Sequence, residues 1–344
     1  MANFGYSFLL VLAAFLWGST FVAQIEGNDV GPFAFVCMRN FIATGVLFAL
    51  ANILDKLGKN PRRPKNKEDR RKLWKAGGLC GIALFFAMNL QQTGLFLGCS
   101  AGKAGFLTTC YIIFVPILSL FFGKKISTKI WLCVAITVVG LYLLCIKGDF
   151  SIETSDIILL LCALAFAAQI LIVGKYGTQV DNVRLSAIQF LVVATLSIFP
   201  MFFVDLKGCV AGFTTIAEVY SSFKPWIPLL YAAILSSGVA FTLQIVAQNK
   251  IRPTLASLLM SLESVFSVIS GWAVLGERFT IQEGIGCILM FTAVILAQID
   301  FKHRDIIKKK LNINFLITLR LNQSFTQRTE YPLALRSSLI LILP

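Results

Sequence analysis

The chain has 344 residues, 57% of them hydrophobic and only 14% charged, with a mean hydropathy of +0.79. A soluble domain of this length would carry about a quarter charged residues, so an ordinary water-soluble enzyme or binding module is excluded. The net charge of +14 does not point to nucleic acid, because the basic residues cluster in loops between apolar runs.

Ten apolar runs of about 17–25 residues follow one another, each long enough to cross a hydrocarbon core of ~30 Å. They lie at 5–24, 32–54, 75–97, 104–122, 128–146, 156–175, 183–204, 225–247, 254–275 and 281–299. The pattern predicts an all-α membrane protein with ten transmembrane helices. A cleaved signal peptide is the alternative for the first run. "MANFGYSF" argues against it, because it has no Lys or Arg and the run exceeds a usual signal core.

Between the second and third runs, "DKLGKNPRRPKNKEDRRKLWK" (55–75) holds ten Lys and Arg. Loops on the same side, together with the tail, bring the total there to 25, against five on the other side. This positive-inside bias predicts a multi-pass protein of the cytoplasmic membrane with both termini in the cytoplasm. Anionic lipid headgroups are the natural partners of those charges.

Residues 101–144 overlie 254–297 at an offset of 153 without a gap. "FFGKKIS" (121–127) then meets "VLGERFT" (274–280), with Gly123 on Gly276, Lys125 on Arg278 and Ser127 on Thr280. Five spans per repeat is an odd number, so the second half must sit inverted in the membrane, as in many secondary transporters. The expected organisation is a first repeat at 1–147, a second at 148–301, and a basic cytoplasmic tail at 302–344. That tail is expected to be disordered or interfacial, since "INFLITL" and "LILILP" are too short to span.

Three stretches carry a family resemblance: "AAFLWGSTFVAQ" (13–24), "SAGKAGFLTTCYIIFVPILSLFFGKK" (100–125) and "IRPTLASLLMSLESVFSVISGWAVLGERF" (251–279). They are similar to the first, fourth and ninth helices of the drug/metabolite transporter (DMT) superfamily, EamA type. The resemblance covers residues 1 to about 300, and the tail departs from it. It implies a ten-helix inverted-repeat permease, often an exporter of amino acids or other small metabolites. It also implies a central cavity lined mainly by helices 1, 3, 4, 6, 8 and 9, with helices 5 and 10 peripheral.

Glu263 interrupts an apolar span at its centre, where a charge costs about 2.5–3.5 kcal/mol on insertion scales. Ser267 and Ser270 share its helical face at i+4 and i+7. Glu263 is a candidate to bind a substrate amine or carry a coupling proton; a structural carboxyl is the competing reading. Asn89 and Gln92 in span 3, and Gln244 and Gln248 in span 8, offer amides either to a zwitterion or to neighbouring helices as hydrogen-bond glue. Trp17, Tyr111 and Gln169 sit near the middle of spans 1, 4 and 6 and complete the candidate substrate-binding set. Arg39 in span 2 reads as a structural ion pair or carbonyl clamp rather than a substrate contact. Pro116 is expected to open span 4 locally, and Gly18, Gly94, Gly105, Gly271 and Gly276 to permit close helix packing.

Nine cysteines contain no CxxC, the single histidine, His303, follows the last span, and no Walker motif is present. No metal, cofactor or ATP-driven mechanism is indicated. A membrane-embedded enzyme would need an acid, base or metal cluster, and only Glu263 is at hand. A scaffold or sensor would leave the repeat and buried polar face without purpose. The reading is a secondary active transporter, not an enzyme, that exports a small polar metabolite by alternating access. Protons are the candidate coupling ion. An importer or a carrier of sugars or drugs stays open as the alternative, as do monomer and dimer.

Overall fold

A computed structural model describes residues 2–145, 153–210, 212–276 and 280–297. Arg278 and the tail at 302–344 lie outside the described residues. The described residues from 2 to 294 form one compact unit. Among the described residues every regular element is helical. Eight helices are long and apolar enough to cross a membrane: α1 (Ala2–Glu26), α2 (Pro32–Lys56), α3 (Lys67–Phe96), α4 (Ala101–Phe121), α6 (Thr154–Tyr176), α7 (Asn182–Asp205), α8 (Trp226–Gln248) and α9 (Pro253–Leu275). Two shorter apolar helices, α5 (Thr128–Cys145) and α10 (Ile281–Ala297), complete the ten.

Local chemistry sets the helix boundaries. Pro32 and Pro253 stand in the first turns of α2 and α9, where a missing N–H costs nothing. The Asn66 side chain accepts from the Asp69 N–H at 2.7 Å and starts α3 well before its apolar stretch. The Asp181 carboxylate does the same for α7, accepting from Val183 and Arg184. Gly123 after α4 and Gly276 after α9 hold φ of +71° and +68°, a left-handed turn that favours glycine. Among the described residues nothing lies within 4 Å of where a Gly276 Cβ would stand, so there its role is conformational and not the close packing expected of it. Helix α4 breaks at Cys110 and α9 at Ser261–Leu262, within two residues of the same register. The interruption in α4 therefore comes before Pro116, which sits inside the second segment, Tyr111–Phe121.

Exchanging the halves preserves the packing. Helix α3 lies against α6 and α7, and α8 lies against α1 and α2; α4 meets α6 as α9 meets α1. The two central pairs, α2 with α7 and α4 with α9, map onto themselves. Helix α5 packs beside α4, and Gly140 brings it so close to α10 that a Cβ there would stand 2.9 Å from the Gly286 carbonyl oxygen. Large apolar side chains such as Phe4, Phe8, Phe41, Ile53 and Phe199 stay exposed, as lipid-facing surface should.

Alternating helix direction puts the loops at 57–66, 122–127, 177–181 and 249–252 at one end, here the basic end. There Arg184 bridges Asp55 (2.7 Å) and Asp181 (2.8 Å), and Asn60 donates to both carboxylates at 2.7 Å. At the opposite end Asp205 accepts from the Ala34 N–H (2.6 Å) at the start of α2, and Lys103 joins α4 to Asp156 of α6 (2.8 Å). A short helix, Gly212–Val219, covers an apolar cluster of α2, α7 and α8 through Ile216 and Val219.

Candidate functional site: a bipolar central cavity

Seven helices surround a central cavity. Helix α1 contributes Trp17, Thr20, Phe21 and Gln24 along one face, and α2 contributes Arg39. Helix α3 adds Met88 and Gln91, α4 Thr108 and Tyr111, and α6 Phe166, Gln169 and Ile170. Helix α8 supplies Ser236, Phe241 and Gln244, and α9 supplies Met260 and Glu263. At the offset of 153, Met88 corresponds to Phe241 and Gln91 to Gln244, so α3 and α8 present equivalent positions to the cavity.

The two ionisable lining residues have opposite charge and separate settings. Glu263 is 4% exposed and accepts from the Thr109 hydroxyl at a long 3.4 Å. Arg39 is 2% exposed and donates to the Ser236 and Ser237 hydroxyls at 3.1–3.3 Å. Among the described residues neither takes part in an ion pair. Burying an unpaired charge is costly, and intramembrane charges characteristically face a bundle interior or a wet cavity. Four further polar atoms of the lining have no hydrogen-bond partner among the described residues: Trp17 Nε1, the Tyr111 hydroxyl, Gln169 Nε2 and Gln244 Oε1. Between these groups the wall is apolar and aromatic. Trp17 meets Phe241 edge-on with ring centroids 4.7 Å apart, and Phe241 meets Phe190 at 5.3 Å.

Of the residues singled out by sequence, Trp17, Tyr111, Gln169, Gln244 and Glu263 come together in this cavity. Asn89, Gln92 and Ser267 are buried outside its lining. Asn89 donates to Ser197 Oγ of α7 at 2.9 Å, which is helix-to-helix glue. An Asn89→Leu variant is expected to cost about 0.6 kcal/mol of stability, the mean for such bonds in membranes, readable by thermal unfolding in detergent. Gln92 turns toward α1, donating to the Gln24 carbonyl (2.9 Å) and Asn28 Oδ1 (2.6 Å). Ser267 packs against Gly105 of α4 and returns its hydroxyl to the Ser264 carbonyl at 2.8 Å. Pro116 and Gly276 also lie outside the lining. Arg39 differs from its expectation: among the described residues it donates to hydroxyls and to no ion or carbonyl, and it reaches the cavity from a helix not expected to be a main part of the lining.

The sequence reading passed over Gln24, Gln91, Thr108 and Ser236. The signal for Gln24 was available, since Trp17, Thr20 or Phe21, and Gln24 recur at i, i+3/i+4 and i+7 on one face. Choosing between Gln91 and Gln92 required the rotation of α3, which the adjacent amides leave undetermined.

The model of the family described as "EamA-like transporter family" matches residues 4–146 and again 154–298. An "Uncharacterized transporter" of Archaeoglobus fulgidus is 32% identical over 295 residues, spanning 84% of each chain. "Uncharacterized transporter YoaV" of Bacillus subtilis is 22% identical over 303 residues, covering 86% of this chain and 98% of its own. One solved crystal structure superposes with a TM-score of 0.67 at 17% identity, over 86% of this chain and 96% of its own, a likeness of fold. The two successive family matches and the ten-helix fold make this chain a multi-pass membrane protein of the EamA-like transporter family.

Proposed function

We propose that the protein is a secondary active carrier of a small zwitterion, an amino acid or a close relative, moved outward across the cytoplasmic membrane by alternating access. The observation that carries this reading is the pair of buried, unpaired, opposite charges in one cavity. A ligand amine at Glu263 and a ligand carboxylate at Arg39 would each form a charge-assisted hydrogen bond. A ligand bearing one charge would leave the other pole desolvated without compensation. The aromatic wall suits an apolar substituent, and the unpaired groups of Trp17, Tyr111, Gln169 and Gln244 suit a polar one. The two packing-equivalent halves support alternating access, because each conformation of one half is available to the other in reverse. The concentration of basic residues in the 55–75 loop supports cytoplasmic termini. Outward direction follows the family resemblance, and Glu263 is the proposed group for proton coupling.

The test is counterflow in liposomes holding purified protein, with a panel of amino acids, amines, carboxylic acids and sugars. Amino acids are expected to exchange, while amines lacking a carboxylate and acids lacking an amine compete at least tenfold more weakly. A sugar or simple amine carried as well as any amino acid would sink the zwitterion reading. No counterflow with any class, from folded protein, would sink the carrier.

A further inference from the structure

Each half of the protein ties its first helix to its third through a glutamine pair, and the two pairs lie toward opposite ends of the cavity. In the first half Gln24 Nε2 of α1 donates to Gln91 Oε1 of α3 at 3.1 Å. In the second half Gln244 Nε2 of α8 donates to Gln169 Oε1 of α6 at 3.0 Å. Gln91 and Gln244 are equivalent at the offset of 153. Gln24 lies in the last turn of α1, and Gln169 lies more than a turn inside the end of α6. Because the halves run in opposite directions, the first pair lies toward the 27–31 loop and the second toward the basic end.

The pairs differ in completeness. Around Gln24 the bonding continues: Gln24 also donates to Gln92 Oε1 (2.9 Å), Gln92 returns to the Gln24 carbonyl and Asn28, and Gln91 reaches the Thr108 hydroxyl of α4 (3.3 Å). Three helices are thereby joined, and none of the three glutamines leaves a buried amide atom unpaired. At the other pair Gln169 Nε2 and Gln244 Oε1 are both buried without a partner among the described residues. One half-bonded amide pair in an apolar surround is the weaker connection, since unsatisfied buried amide groups carry a desolvation cost.

We infer that the two glutamine pairs are the alternating latches of the carrier. The Gln24–Gln91 network holds the 27–31 side shut, and the Gln169–Gln244 pair is the one that yields first at the basic end. This rests on the alternating-access reading. In such a machine the two latches oppose each other: weakening one populates the state in which the other is closed. Interhelical glue without a gating role would have a local effect only.

Hydrogen exchange on the full-length, substrate-free protein in lipid nanodiscs separates the two. In the wild type, amides at 169–181 and 243–252 are expected to exchange faster than those at 20–31 and 88–100. Gln91→Leu removes two bonds of the network, to Gln24 and to Thr108, each worth about threefold in an opening equilibrium. It is expected to speed exchange at 20–31 and 88–100 by about tenfold and to slow it at 169–181 and 243–252. Gln244→Leu is expected to do the reverse, with about a threefold rise at the basic end. Gln24→Leu breaks the same network from α1 and must reproduce the Gln91→Leu response. Asn89→Leu, which breaks an α3–α7 bond outside the cavity, must not. Faster exchange confined to the mutated end, a change of the same sign at both ends, or a reciprocal response from Asn89→Leu would overturn the inference. A reciprocal response in a protein that shows no counterflow would instead remove the carrier reading and leave the latches standing.

Discussion

Reconstituted Glu263→Gln protein is expected to lose about 30- to 4000-fold in the transport rate of a zwitterion at low concentration, with its fold intact. The range is about 2–5 kcal/mol, the usual cost of truncating one member of a buried, hydrogen-bonded charge pair, at 1.4 kcal/mol per tenfold. Glutamine keeps the shape and can still accept from the Thr109 hydroxyl, so the loss would report the missing charge. Arg39→Met should cause a loss of similar size by the opposite route, since it removes the positive pole and leaves the Ser236 and Ser237 hydroxyls without their donor. The two variants are expected to divide the panel. Glu263→Gln should retain weak competition by carboxylic acids, and Arg39→Met by amines. Equal loss of both classes in both variants would mean that the charges support the bundle and do not read the ligand.

Two experiments on Glu263→Gln separate amine binding from proton carriage. Counterflow exchanges labelled for unlabelled substrate and needs no net proton movement. If Glu263 only carries the proton, counterflow survives in the variant while pH-gradient-driven flux disappears. If Glu263 holds the amine, both are lost together. Wild-type counterflow in the same vesicles is the reference for each comparison.

The helices were legible because the bilayer imposes its own length. Each predicted run coincides with an observed helix, and the largest offset is at α3, whose first two turns carry the charges from Lys67 to Lys72 ahead of the apolar stretch. A hydropathy window cannot see such an extension, though the Asn66 cap and the acidic first turn announce it. The breaks in α4 and α9 were not legible. They fall at Cys110 and at Ser261–Leu262, residues that carry no breaker signal, whereas Pro116 drew attention and lies elsewhere. Within the site, the residue types that hydrocarbon punishes were visible, which is why Glu263 and the glutamines stood out. What could not be read was helix rotation. Asn89 and Gln92 share one face of α3 and Gln91 sits on another, yet only packing against α1, α4 and α7 decides which face meets the cavity.

Gly18→Val is the substitution expected to do most harm to the fold. A Cβ at Gly18 would stand 2.6 Å from the Glu263 carbonyl oxygen and 2.5 Å from the Phe266 Cβ, both fixed parts of α9. Gly105 makes a matching approach from α4, where a Cβ would meet Ser267 and come within 3.4 Å of the Ser264 Cα. Two glycines from two helices thus grip the turns of α9 that carry Glu263. With neither backbone able to retreat inside a packed bundle, even Gly18→Ala should cost about 1–3 kcal/mol through overpacking, and valine more. Because Trp17 and Glu263 lie on either side of this crossing and both line the cavity, transport should fail along with stability. Gly45 of α2 supplies the contrast: it is exposed, a Cβ there meets nothing within 4 Å, and Gly45→Ala should be neutral or stabilise the helix by up to about 1 kcal/mol. Thermal unfolding of the two alanine variants in detergent makes the comparison. A Gly18→Ala protein as stable as wild type would show that α1 and α9 can move apart freely at this crossing, and the close approach would then be no constraint on where Glu263 sits.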